Sequence, residues 1–289
     1  MSCRSAAMIR SAVLGLYLTV LVALLVIAGS ARAATVADLG AALRLGRMAE
    51  ILSAEGVAHG AELEQSLFPD QGGARWAAIV AALHDPARMR ADLEGTLGAA
   101  LADAPAAEVD AMTAFFTSGP GAGVIDLELD ARAALADPAV QDAADLALDR
   151  ARADKVPRLG QIDRFIVAND LIERNVAGAM NANIAFWRGL SDGDGLSDTR
   201  NEGEAEMLAD LWTQQESLRA ETEAWLWSFL LMAYDPLEDD ALEAYIDFSL
   251  SPAGQRLNTA LFETFDTVFE RLSYDLGKAS ARLMTGESL

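Results

Sequence analysis

Basic side chains are scarce: 22 Lys and Arg stand against 44 Asp and Glu in 289 residues, a formal net charge of −22. So acidic a chain offers no positive field to a phosphate backbone, which excludes general nucleic-acid binding. Thiols and imidazoles are scarcer still, at one cysteine and two histidines. Few ligands are left for zinc, haem or iron–sulfur centres, and few parts for Cys–His catalysis. His59 and His84 stand 25 residues apart without helical pairing. The sequence holds no H-E-x-x-H, no G-x-S-x-G and no phosphate-cradling glycine motif. Sustained β-branched alternation is absent as well, which argues against strands. What remains is 52% hydrophobic and only 23% charged, so it is no disordered acidic tail.

The N-terminus reads as an export signal. Arg4 and Arg10 precede an uncharged stretch from Ser11 to Ile27, and Ala31-Arg32-Ala33 supplies an A-x-A cleavage site. Cleavage is expected between Ala33 and Ala34, giving a periplasmic protein. The alternative is an inner-membrane anchor formed by residues 11–27, because that run approaches a bilayer span. Loss of residues 1–33 removes three arginines and the cysteine, leaving 19 basic against 44 acidic side chains, a net charge of −25. Such a chain has no disulfide to rely on and must be held by its core.

From Thr35 to Met284 the pattern is helical. Candidate helices run over 35–55, 72–84, 86–103, 107–117, 120–136, 139–154, 159–188, 203–233, 238–249 and 252–285, with Ser191 to Gly203 as the longest loop. Starts are marked at Asp85-Pro86, Gly119-Pro120, Asp137-Pro138 and Ser251-Pro252, where a small polar cap precedes a proline at the first helical position. In the last helix Leu257, Leu261, Phe265, Val268, Leu272 and Leu276 form one apolar stripe. The predicted class is all-α, a helical bundle or array. Short links favour antiparallel neighbours.

Two stretches follow the same order of long helix, Asp/Pro turn, short helix and small-residue turn, about 130 residues apart. One runs from Met89 through Asp103-Ala104-Pro105 to Phe115 and Gly119-Pro120. The other runs from Leu218 through Asp235-Pro236 to Phe248 and Ser251-Pro252. This predicts two related modules in pseudo-repeat, an Ala-rich one at 34–157 and an aromatic-rich one at 158–289. Four aromatics of the exported chain precede residue 160 and fourteen follow, so the second half is expected to have the better-defined core.

Tyr245-Ile246-Asp247-Phe248-Ser249-Leu250-Ser251-Pro252-Ala253-Gly254-Gln255 resembles the aromatic helix and Ser-Pro-x-Gly-Gln turn of the bacterial family called domain of unknown function twenty fifty-nine. The resemblance covers roughly Ile162 to Met284 and implies an exported all-α protein without an established activity. The first copy lacks the glutamine.

Candidate site residues follow from residue type. Gln255, one turn inside a helix start with free N–H groups, could help hold an anion, although capping alone explains the turn. Asn169 falls on the apolar face of the 159–188 helix and Asn183 borders it, so these amides either cross-link helices or line a polar cleft. Asp192, Asp194 and Asp198 resemble a D-x-D-G-x-x-D calcium run, but Leu190 stands where the first ligand of an EF-hand would be. An acidic solvated loop is the preferred reading. Trp212, Trp225 and Trp227 could form a binding surface, although at helical spacing an aromatic cluster reads rather as core. No cofactor is expected, with calcium at residues 192–198 as the alternative. The function expected is non-enzymatic binding of an envelope protein or a small ligand through a helical surface or groove, with membrane contact only through an uncleaved N-terminal segment. A carboxylate-dependent periplasmic hydrolase and a calcium-binding module are the alternatives.

Overall fold

The computed structural model describes residues 33–69, 71–193 and 200–285, with the side chains of 200–212 and of 214 left aside. The stretch read as an export signal therefore lies outside the described residues except for Ala33. Among the described residues the chain is all-α, in the order α1 (Val36–Ala42), α2 (Leu45–Leu67), α3 (Gly73–Leu83), α4 (Pro86–Ala100), α5 (Ala106–Ser118), α6 (Val124–Ala134), α7 (Pro138–Asp154), α8 (Arg158–Asn169), α9 (Leu171–Gly193), α10 (Arg200–Tyr234), α11 (Asp239–Leu250) and α12 (Pro252–Met284). None of these helices is long and apolar enough to cross a membrane.

Polar caps start several of them as the sequence predicts. The carboxylates of Asp85 and Asp137 accept from the backbone N–H of Arg88 at 2.8 Å and of Ala139 at 2.9 Å. The Ser251 hydroxyl accepts from Gly254 at 3.1 Å, and a proline follows each of these three caps. Thr35 and Asp38 close a capping box on α1.

Boundaries differ from expectation where a single left-handed residue breaks a periodic run. The 35–55 candidate is two helices joined through Arg44 at φ 55°, and the second continues to Leu67. The 159–188 candidate breaks at Asp170 at φ 52°, whose N–H satisfies the carbonyls of Ile166 and Val167. Neither break carries a glycine or proline, so periodicity passes straight over it. Gly119-Pro120 is a turn rather than a helix start, and α6 begins after Gly123 at φ 89°. Ser191 to Gly193 and residues 200–203 are helical, which shortens the expected loop at both ends.

One core joins the two halves: Leu39, Leu45, Leu93, Leu97 and Met112 pack in the same cluster as Ile162, Tyr234, Leu242, Leu257 and Val268. The 157/158 boundary thus crosses a continuous interior. The N-terminal half contributes leucine and methionine as completely buried as any aromatic of the second half, so scarcity of rings does not loosen it. A smaller cluster sets Phe68, Trp76 and Val80 against Leu276 and Ala279, with Trp76 Nε1 donating to the Gly60 carbonyl at 2.7 Å. The element order recurs in part: a short helix, a left-handed break and a 23-residue helix form both α1–α2 and α8–α9. Phe115 of α5 stacks on Phe248 of α11, ring centroids 4.1 Å apart.

The tightest helix pair is α9 with α12, and it is parallel rather than antiparallel because α10 and α11 intervene between them. Gly178 faces Asp266, Phe186 faces Gly277 and Gly193 faces Ala281, so both helices run in the same sense. A methyl group added at Gly189 would sit 2.0 Å from the Tyr274 carbonyl oxygen, and one at Gly277 would sit 2.0 Å from that of Phe186. Backbone meets backbone there, and no side chain can yield to make room. Gly277→Ala is therefore expected to cost about 3 kcal/mol, the upper range for overpacking. Gly98→Ala, on α4 with nothing within 4 Å, should instead stabilise by roughly 0.5–1 kcal/mol through helix propensity. Urea unfolding of both variants checks the opposite signs.

Candidate ligand-binding cavity

The N-terminal halves of α9 and α12 do not seal against the rest of the array. Between them and α2, α6, α8, α10 and α11 lies a cavity of about 520 Å³, within the roughly 300–1,000 Å³ common for small-molecule sites. Its walls are mostly apolar. Leu45, Met48 and Leu52 of α2 and Ile125 of α6 form one side; Trp225 and Phe229 of α10, with Phe262, Phe265 and Phe269 of α12, supply aromatic surface. Gly178, Ala179 and Ala182 keep the α9 wall low. Aromatic faces stack in pairs: Trp225 on Phe229 with centroids 5.0 Å apart, and Phe265 on Phe269 at 6.1 Å.

Few polar groups reach this space. Glu128 projects from α6 into the interior, where the fully buried Tyr234 donates its hydroxyl to Oε1 at 2.7 Å. Tyr245 also engages this carboxyl. Glu128 keeps some accessible surface because it borders the cavity, yet protein surrounds the carboxyl deeply enough to strip its hydration. Burial pushes the Glu128 pKa up to about 7 against the opposing pull of the two phenols. Burial likewise raises both tyrosines, with the Glu128 charge adding to it. Asp266 of α12 is raised by burial and by Glu270, and lowered by Arg174.

The two arginines at the cavity are held unequally. Arg132 Nε and Nη2 donate to both oxygens of Glu55 at 2.9 and 2.8 Å, and its guanidinium lies 6.0 Å from the Trp225 ring centre. Arg174 Nε lies 3.9 Å from the Asp170 carboxylate, too far for a hydrogen bond, and is buried without another partner, while the guanidinium sits 5.3 Å from the Phe262 ring centre.

The residues singled out from sequence divide. Asn169 does line the cavity, and its side-chain amide donates to the Phe165 carbonyl at 3.0 Å while its backbone carbonyl accepts from Asn258 Nδ2 at 3.0 Å. Asn183 is exposed and does not line it. Gln255 Nε2 donates to the carbonyls of Ala168, at 3.0 Å, and Ser249, tying the ends of α8 and α11 to the start of α12. Asp192 accepts from the Tyr274 hydroxyl at 2.9 Å. Asp194 and Asp198 lie outside the described residues, among which no three His, Cys, Asp or Glu side chains gather as a metal site. Trp225 lines the cavity, Trp227 borders the main core beneath Arg152, and the Trp212 side chain lies outside the described ones. His84 is buried against the Val80 carbonyl, and burial lowers its pKa.

Sequence reasoning missed Glu128, Tyr234 and Tyr245. A usable signal exists for the first: Glu128 follows Val124 by four residues and Ile125 by three, so an acid interrupts the apolar face of α6.

The raised Glu128 pKa fixes a sign. A carboxyl protonated more readily when folded adds stability in full below pH 4.5, and that contribution is lost as pH rises through about 7. Glu128→Gln mimics the protonated form. It should leave stability unchanged near pH 4.5 and raise it at pH 8.5 by up to roughly 3 kcal/mol. Chemical unfolding of both proteins across this range measures the difference directly. Comparisons with protein-family models, curated proteins and solved structures return no match to this chain.

Proposed function

We propose that this chain is an exported helical binding protein of the bacterial cell envelope, which takes an apolar small molecule with one polar end into the cavity beside Glu128. The observation that carries this reading is the cavity itself: about 520 Å³ of mostly aliphatic and aromatic surface with a few placed polar groups. That composition is what small-molecule sites have in common. A close-packed interior would have filled such a space with side chains, and leaving it open forfeits packing energy. The export signal, the likeness of the Ser251 to Gln255 turn to the family named above, and the recurring helix order support the same picture. In it two related modules share one core, with the ligand held where they meet. The role is non-enzymatic, and Asn169 acts on the cavity wall while Gln255 holds the wall in place.

The test is an apolar fluorescent probe added to the mature chain, read through the probe and through Trp225. One probe should bind per chain, and saturation at a hundred times Kd should stabilise the fold by about 2.7 kcal/mol. Ala182→Phe, which fills the cavity from the low α9 wall, should abolish binding without lowering the melting temperature. Binding that survives this substitution contradicts the proposal.

A further inference from the structure

The charged side chains that line the cavity balance, Glu128 and Asp266 against Arg132 and Arg174. Net charge therefore selects no ligand, and the choice falls to hydrogen-bonding capacity left unused. Arg132 spends Nε and Nη2 on the two oxygens of Glu55, and Glu128 already accepts from Tyr234. Arg174 differs from both. Its Nε is buried with no partner, and its guanidinium donates no hydrogen bond among the described residues. Buried atoms of Thr113, Arg158, Gln161 and Arg271 also lack partners, but none of those residues lines the cavity.

The group that completes Arg174 must accept hydrogen bonds. A quaternary ammonium head has no lone pair to offer, and a hydroxyl accepts through one atom only. A carboxylate presents two oxygens at the spacing of the guanidinium fork, and its bonds to that charge are about twice as strong as neutral ones. Asp170 does not fill this place, because its carboxylate stands 3.9 Å away and is 62% exposed to screening water. Asp266 acts on Arg174 through its field alone, and burial with Glu270 raises its pKa, which weakens its opposition to an incoming anion. The walls supply room for a tail. From Arg174 the α9 wall continues as Gly178, Ala179 and Ala182, roughly 12 Å at the rise of a helix. Beside it, in the same sense, α12 carries Phe262 under the guanidinium and then Phe265 and Phe269.

Resting on the cavity as a ligand site, we propose that it takes a single-chain carboxylate amphiphile, with the head on Arg174 and the tail laid between the small residues of α9 and the rings of α12. One carboxylate oxygen accepts from Nε and the other from a terminal nitrogen. The turn of the guanidinium that opens Nε to the head breaks no hydrogen bond among the described ones. Bound in this way, the ligand removes a buried orphan donor, which costs about 1–3 kcal/mol while it lasts.

Calorimetry on residues 34–289 near neutral pH with dodecanoate, dodecanol and dodecyltrimethylammonium, each below its micelle or solubility limit, tests the assignment. Dodecanoate should bind about tenfold more tightly than the alcohol, and the cation most weakly. Arg174→Gln should weaken dodecanoate by about tenfold and leave dodecanol within about threefold of its wild-type affinity, which shows the cavity intact. Arg174→Lys, which keeps the charge without the fork, should fall between the two. Alcohol or cation binding as tightly as dodecanoate overturns the carboxylate assignment while the cavity reading stands. Dodecanoate affinity that is unchanged in Arg174→Gln, or that falls together with the affinity for dodecanol, overturns the role of Arg174 as the head's receptor. Absence of binding by all three overturns the cavity reading itself. Dodecanoate binding that persists in Ala182→Phe places the ligand outside the cavity and also overturns the proposal.

Discussion

The contact between α9 and α12 governs the rest of this molecule. Over their C-terminal halves the two parallel helices touch backbone to backbone, because Gly189, Gly193 and Gly277 place nothing between them. Over their N-terminal halves the same two helices carry Leu171, Arg174, Phe262, Phe265 and Phe269, and these face an open cavity. A close seal at one end fixes the helix axes and holds the wall of the cavity at the other. The helix ends are pinned as well: Gln255 reaches the Ala168 carbonyl, and Asn258 reaches that of Asn169. Without that seal the aromatic side chains would have the freedom to collapse inward, as apolar surfaces in water do.

The acidic composition acquires a structural meaning in this frame. Arginines are outnumbered by acids, and many of them bridge helices: Arg44 binds Asp126, Arg132 binds Glu55, Arg256 binds Glu108 and Arg271 binds Asp92. Exposed pairs of this kind add little stability one by one. They do determine which acids are neutralised, and Glu128 is not among those paired. An acid left with only phenols, in surroundings that strip its hydration, is the polar centre of the cavity and sets its response to pH.

Much of the fold was legible in the sequence. Helical periodicity gave the class, and the caps at Asp85, Asp137 and Ser251 gave three helix starts. The breaks at Arg44 and Asp170 were not legible, since each is one left-handed residue of a type that helices also contain. The site was legible only at its edge, through Asn169 on an apolar face. Glu128 was hidden by abundance: with 44 acids in the chain, a single one on an apolar face does not stand out until its neighbours in space are known. Tyr234 and Tyr245 come from helices far along the chain from Glu128, and no short-range pattern connects the three. Gln255 and Asn169 both turned out to hold carbonyl groups at helix ends, the ordinary use of a partly buried amide.

The most direct test of this account is the affinity of residues 34–289 for an apolar probe, compared with the Ala182→Phe variant at equal stability. The account predicts one saturable site in the wild-type chain and none in the variant. Equal binding by the two proteins would contradict it, because it would place the ligand somewhere other than the cavity that α9 and α12 hold open.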